Sequence, residues 1–329
     1  MMRRSAGVPK TTTMPLRRHA VLLALTALVL APSPQAADAS SPPTAYTGNA
    51  AQVTTSSATL EGSVYPGNQQ TSYYFQYGPT TAYGAQTPTA SVDAGTQTEH
   101  VSALIATLSV DTVYHYRLVA VNASATKEGP DRTFTTKKIP LTLQVQATPS
   151  RDLFGSPFLV QGTLSGTGSA NHPVVVEANP FPYLAGFKPI ISPVLTNAGG
   201  SFSISVAHLS ANTQLRVSTL ETPAVNSRVL VELVQVRVTL HLRRTARRGY
   251  ARLYGTITPA QTGAVVGLQL LRPGRKPLGL GSTLATQGRG SFSRFSRVVH
   301  IPRGGFYRAH VIVASGAQVS NYSRTILIR

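Results

Sequence analysis

The chain has 329 residues, 42% of them hydrophobic and only 12% charged, with no cysteine and no tryptophan. Its 30 Lys and Arg stand against 11 Asp and Glu, a net charge of +19. These values exclude a disulfide-stapled scaffold and a thiolate metal site, argue against long salt-bridged helices, and leave enough apolar residues for two or three cores. Arg17 and Arg18 precede the apolar run 20–31, and Ala37-Asp38-Ala39 follows it. Basic, apolar and small-x-small regions in that order predict a secretory signal peptide over 1–39. The apolar run is too short for a bilayer span, which needs ~20 residues. No second run of that kind follows, so no transmembrane segment is expected in the mature chain. The expected location is outside the cell or at its envelope.

After a linker over 40–48, a short pattern recurs: LEGSV at 60–64, VQGTL at 160–164 and LYGTI at 253–257. The last two copies share more. Gly200-Ser201-Phe202-Ser203 matches Gly290-Ser291-Phe292-Ser293, and Asn226-Ser227-Arg228 is echoed by Asn321-Tyr322-Ser323-Arg324. A period of ~95 residues is too long for a solenoid repeat and fits tandem β-sandwich domains, over 49–138, 139–235 and 236–329. Inside each, short β-rich runs alternate with turn residues. In the third the runs are VELVQVRVTLHL, YARLYGTIT, AVVGLQLL, PLGLGSTLA, SFSRFSRVV, FYRAHVIVA and VSNYSRTILI. The predicted fold is all-β, a tandem array of immunoglobulin-like or fibronectin type III-like sandwiches.

Four segments carry a more specific likeness: SATLEGSVYPGN, TSYYFQYGPTTAYG, LSVDTVYHYRLVAVNA and GPDRTFTT. With them, residues 50–136 resemble a fibronectin type III domain of a secreted bacterial protein. The resemblance implies that Leu108 and Tyr114 form a tyrosine corner, the phenol oxygen bonded to a nearby backbone group. Strand alternation then turns Tyr114, Tyr116, Leu118 and Ala120 inward, with His115, Arg117 and Val119 outward. The usual strand-B tryptophan is missing, and Leu60 or Gly62 stands there.

Charge divides unevenly. Residues 40–138 carry five basic and six acidic residues, 139–236 carry four of each, and 237–329 carry 16 basic and none acidic. Successive antiparallel strands reverse direction, so loops after odd strands gather at one pole. In the third unit those loops are expected to hold Arg243, Arg244, Arg247, Arg248, Arg272, Arg275, Lys276 and Arg303. The even-strand loops hold only Arg289. A cationic tip distal from the rest of the array follows, and the arginine fork suits phosphate and carboxylate. The expected partner is an anionic cell-envelope polymer or polysaccharide, although scattered arginine can also serve solubility alone. Nucleic acid suits the charge but not the compartment.

Catalytic patterns are sparse. No H-x-x-x-H, nucleophile elbow or phosphate-binding loop occurs, and the third unit has no carboxylate for a glycosidase pair or a triad. No enzyme activity, cofactor or metal is expected. Two other readings stay open. One is a carbohydrate-binding accessory protein using the first unit, with Tyr74 and Tyr83 as exposed platforms. The other is an extracellular hydrolase whose site converges from distant loops.

Overall fold

The computed structural model describes residues 39–149, 151–302 and 304–329. All but the last residue of the expected leader lie outside them. Among the described residues there are twenty-eight strands and no helix, hence no helix long and apolar enough to cross a membrane.

The strands form three pairs of sheets. In the first sandwich, β1 (Thr44–Thr47), β2 (Ala58–Tyr65) and β6 (Glu99–Ile105) pair as β1-β2-β6. Against them, β3 (Thr71–Gly78) pairs with β4 (Ala85–Gln86), β5 (Ala90–Val92) and β7 (Val113–Val121), and β7 also takes β8 (Thr126–Glu128) and β9 (Arg132–Thr135). The second repeats the plan. One sheet is β10 (Thr142–Thr148), β12 (Phe158–Ser165) and β16 (Ser201–Val206). In the other, β13 (Pro173–Pro180) holds β14 (Lys188–Pro189), β15 (Val194–Leu195) and β17 (Thr213–Thr219); β18 (Leu230–Gln235) follows β17 and takes β11 (Arg151–Leu153) in parallel. In the third, β21 (Tyr250–Thr258) pairs with β19 (Arg237–Val238), β20 (His241–Arg244) and β25 (Ser293–His300), whose other edge is β24 (Thr286–Gln287). Facing it, β22 (Val265–Arg272) lies between β23 (Arg275–Leu284) and β26 (Gly305–Ile312), and β26 takes β27 (Asn321–Tyr322) and β28 (Ile326–Ile328). The protein is thus an all-β chain of sandwiches, consistent with a fibronectin type III-like domain. One expected run is divided: Leu230–Gln235 pairs with β17 in the second sandwich, so VELVQVRVTLHL changes sandwich in mid-run.

Each sandwich closes on its own apolar cluster. Leu60, Phe75, Tyr116 and Leu118 centre the first, Val160, Leu164, Val176 and Leu215 the second, and Leu253, Ile257, Leu268 and Val311 the third. All are essentially free of solvent, and each such side chain stabilises the fold by roughly 1.5–3 kcal/mol. The recurring glycine of the sequence has a packing cause. A Cβ on Gly62 would stand 2.7 Å from the Tyr46 carbonyl and 2.8 Å from Leu118. On Gly162 it would meet Gln144 O at 2.4 Å and the Phe202 ring at 2.6 Å; on Gly255, Thr239 O at 2.0 Å and the Phe295 ring at 2.7 Å. The first strand of each sandwich lies against this spot, which leaves room only for hydrogen. The register also corrects the proposed second match. Phe202 stands opposite Gly162 and Phe295 opposite Gly255, so Phe295, not Phe292, is the counterpart of Phe202.

The echoed Asn-Ser-Arg and Tyr-Ser-Arg segments supply a buried hydroxyl. Ser227 Oγ accepts the Val217 N–H at 2.9 Å, and Ser323 Oγ accepts that of Ala309 at 2.9 Å. In the first sandwich Thr47 Oγ1 does the same for Leu118 at 3.0 Å. Leu118, Val217 and Ala309 are therefore equivalent, which aligns β7, β17 and β26 residue by residue. At the far end of β7, the Ser109 N–H donates to Tyr114 Oη at 3.0 Å beside buried Leu108, the arrangement of a tyrosine corner.

The second and third sandwiches meet through the segment 313–320. Buried Asn212 donates from its backbone N–H to Ala317 O (2.6 Å) and from its amide to Gly316 O (2.7 Å), while Val319 donates to Val234 O (2.9 Å). Next to this contact, Asp152 and Glu232 are almost wholly buried, and Asp152 Oδ2 and Glu232 Oε1 have no hydrogen-bond partner. Burial raises Asp152 to about 6. Burial, and then the charge of Asp152, raises Glu232 to about 7. Both native values lie above the ordinary carboxylate range, so the folded state binds more protons than the unfolded one between about pH 4 and 7. This contribution is complete below pH 4 and is lost as pH rises through 7.

Two outcomes follow. Gly255→Ala lowers stability by about 3 kcal/mol in thermal melts, whereas Gly279→Ala, where a Cβ meets nothing within 4 Å, leaves it nearly unchanged. Denaturant melts of the parent show stability falling from pH 5 to pH 8, and Glu232→Gln removes most of that slope, worth on the order of 2 kcal/mol.

Candidate cationic site of the third sandwich

The strand directions of the third sandwich define its two poles. Strands β20, β22, β25 and β28 end at one pole, where β21, β23 and β26 begin. The register confirms which ends coincide: Arg244 pairs with Ala251, Tyr250 with His300, Arg272 with Arg275 and Gly305 with Ile328. The opposite pole carries 313–320, the segment bonded to the second sandwich. The first pole is therefore the distal one.

Arg244, Arg247, Arg248, Arg272, Arg275 and Lys276 of the expected set stand at the distal pole, together with Arg329. Arg244, Arg247, Arg248 and Arg329 line one shallow recess of about 310 Å³, floored by Leu242, Tyr250 and Ile301. The turn after β20 is tied down by Thr245, whose hydroxyl donates to Arg247 O (3.1 Å) and Tyr250 O (2.9 Å). The Arg247 guanidinium lies 4.0 Å from the centre of the Tyr250 ring, and Tyr250 in turn packs on His300 at 5.2 Å. Such cation–π contact orients the arginine while its N–H edge stays in water. Arg272 is engaged otherwise. Its Nε and Nη2 donate to Lys276 O at 2.9 and 2.6 Å, closing the β22–β23 hairpin.

Arg244, Arg272, Arg275 and Lys276 lie at the distal ends of strands rather than in loops, and one expected position is drawn further back. Arg243 is not on a loop, because β20 extends through Arg244 and puts Arg243 directly opposite Arg252 on β21. Both lie on the outer flank of the sheet that holds β20, β21 and β25. There they line a groove of about 600 Å³ with His241, Tyr254 and Arg294. Arg303 lies outside the described residues. The positive charge is thus not a tip alone: it continues down this flank, and Arg308 stands on the other sheet. At the junction pole the basic residues are Arg237, whose Nη2 donates to Phe154 O at 3.0 Å, and Arg289.

Sequence reasoning did not single out Arg252 and Arg294, because both lie inside strands β21 and β25 rather than in the loops. Alternation along β21 and β25 was the signal for both. Tyr83 of the first sandwich, expected as an exposed platform, is buried at 9% exposure. Tyr83 Oη donates to Asp131 (2.9 Å) beneath the Arg117 guanidinium, which removes it as an exposed platform.

Two like charges directly opposite on neighbouring strands repel, and no acid in 237–329 offsets them. Cations within a Debye length of ~8 Å of one another are incompletely screened. The arrangement is chemically suited to an anion carrying several charges. It offers no nucleophile–base pair and no set of oxygen ligands.

No family model matches the chain, and no curated protein matches it. Among solved structures, it is similar to the FN1–FN3 domains of chicken CNTN1, with 13% identity over 87% of this chain and 97% of that one and a TM-score of 0.26. At that score the likeness carries no argument about function, and the fold assignment rests on the sheets described above.

Because Arg272 closes its hairpin and Arg275 does not, Arg272→Ala lowers the melting temperature, at a cost of about 1 kcal/mol. Arg275→Ala leaves it unchanged within error. Equal effects of the two would show that the Arg272 contacts contribute nothing.

Proposed function

We propose that this is an exported, non-enzymatic adhesion or scaffold protein of the cell envelope whose third sandwich binds an anionic polymer. The observation that carries the reading is the distal pole. Seven basic residues from three separate chain segments stand there, in a sandwich without a single acidic side chain. The flank of Arg243, Arg252 and Arg294 extends the surface, giving a chain-like ligand a path beyond the pole. Arginine's fork donates to phosphate and carboxylate oxygens in pairs, so a phosphate-linked wall polymer and an acidic polysaccharide are both suitable. The first two sandwiches, nearly neutral, act as a stalk holding the cationic end away from the point of attachment.

The test is co-sedimentation of the full chain with isolated wall fractions between 50 and 300 mM salt. Binding weakens steeply with salt, as expected when counterions are displaced from a polyanion. Reversing Arg244, Arg247 and Arg248 to Glu abolishes it at moderate salt. Retention of full binding by that variant, or binding insensitive to salt, would overturn the reading in favour of neutral-glycan recognition.

A further inference from the structure

An arginine recurs at one position of all three sandwiches, and only the third lacks an acid beside it. The position precedes the hydroxyl-capped residues Leu118, Val217 and Ala309, so Arg117, Arg216 and Arg308 are equivalent. Each donates from Nε to the residue directly across on the neighbouring strand: Gln76 at 2.8 Å, Glu177 at 2.6 Å and Gln269 at 2.9 Å. Each guanidinium also lies over an aromatic ring: Tyr83 at 4.8 Å, Phe187 at 4.4 Å and Tyr322 at 3.9 Å.

In the first sandwich the carboxylate comes from Glu128, which pairs with Val119 and bonds Arg117 Nη1. In the second it comes from Glu177, opposite Arg216. The matching positions in the third are Tyr322, paired with His310, and Gln269, opposite Arg308. Neither is acidic. The ring over the arginine has also changed sides. Tyr83 and Phe187 belong to the segments between β3 and β4 and between β13 and β14, whereas Tyr322 comes from β27 on the opposite edge. On the side the ring has left, Gly279 stands opposite Gln269, and a Cβ there would meet nothing within 4 Å. Gly267, opposite His310, is nearly as bare.

We propose that the Arg308 cradle takes a carboxylate from outside the chain, that of a uronic-acid residue in an acidic polysaccharide. The inference rests on the anionic-polymer reading and selects carboxylate over phosphate within it. Three features favour a sugar. The glycine shelf leaves a flat pyranose room beside the guanidinium. His310, stacked on Tyr322 at 4.2 Å and 14°, stands beside bare Gly267 and supplies the aromatic wall for the sugar's C–H face. Burial, and then the charge of Arg308, lowers the pKa of His310, so the neutral imidazole can bond a hydroxyl. A peptide strand added to the open edge is disfavoured, because the β22–β23 register shifts twice along that edge.

The experiment compares an oligogalacturonate with inorganic polyphosphate of equal charge, by calorimetry on the full chain. The parent prefers the oligogalacturonate. Arg308→Lys keeps the charge but loses the fork, and weakens oligogalacturonate about tenfold while polyphosphate is unchanged. Gln269→Glu restores the acid found in the second sandwich; it raises thermal stability and likewise removes the preference. Equal weakening of both polymers by Arg308→Lys, or no change in either, overturns the proposal. Tighter, Arg308-dependent binding of poly-glutamate than of oligogalacturonate overturns the sugar assignment. The readout is a ratio of affinities, so it is independent of the Arg244, Arg247 and Arg248 reversal, which lowers both together.

Discussion

In an antiparallel sandwich every strand returns the chain to the end it left, so residues distant in sequence collect at two poles. That reversal organises the third sandwich. Arg244, Arg247 and Arg248 come from one turn, Arg275 and Lys276 from a second, and Arg329 from the last residue, yet all stand at the same end. The other end is occupied by the 313–320 segment and its bonds to Asn212, Val234 and Val236. The geometry leaves the cationic end facing away from the junction. Repulsion among its arginines is a standing cost, which a bound polyanion would relieve.

The three sandwiches share a frame and differ in how they neutralise it. In all of them a backbone N–H of the central strand is capped by a hydroxyl, and the preceding arginine reaches across to the neighbouring strand. Glu128 and Glu177 satisfy that arginine in the first two. The third keeps the arginine and replaces both acidic positions, by Tyr322 and Gln269. Loss of acid is therefore not confined to the turns; it extends to an internal motif that the other sandwiches retain. The almost buried Asp152 and Glu232 belong to a different economy. They sit beside the junction, hold protons well above the usual carboxylate range, and lie away from the cationic pole.

Much of the frame was legible in the sequence. Gly62, Gly162 and Gly255 mark a recurring spot where backbone and a core side chain approach too closely for a Cβ, and their recurrence gave the repeat. The Ser227 and Ser323 echo marked the hydroxyl caps. Other features were not legible for physical reasons. Phe292 mimics Phe202 in local sequence, but strand register places Phe295 over the glycine. Arg243 was assigned to a loop because Arg-Arg-Thr-Ala-Arg-Arg lacks alternation, whereas pairing with β21 carries the strand past it. The Arg117, Arg216 and Arg308 set has no sequence signature, since its partners come from different strands and its rings from different edges. Only register reveals it.

The central claim is that the distal pole and its flank, not the surface at large, engage an anionic polymer. Arginine footprinting tests it most directly: phenylglyoxal labelling of the unmodified chain, with and without isolated wall polymer, mapped by mass spectrometry. The account expects Arg244, Arg247, Arg248 and Arg275 to be protected, with Arg252 and Arg294 following, while Arg151 and Arg289 label as before. Uniform protection of all arginines, or none at the pole, would contradict it.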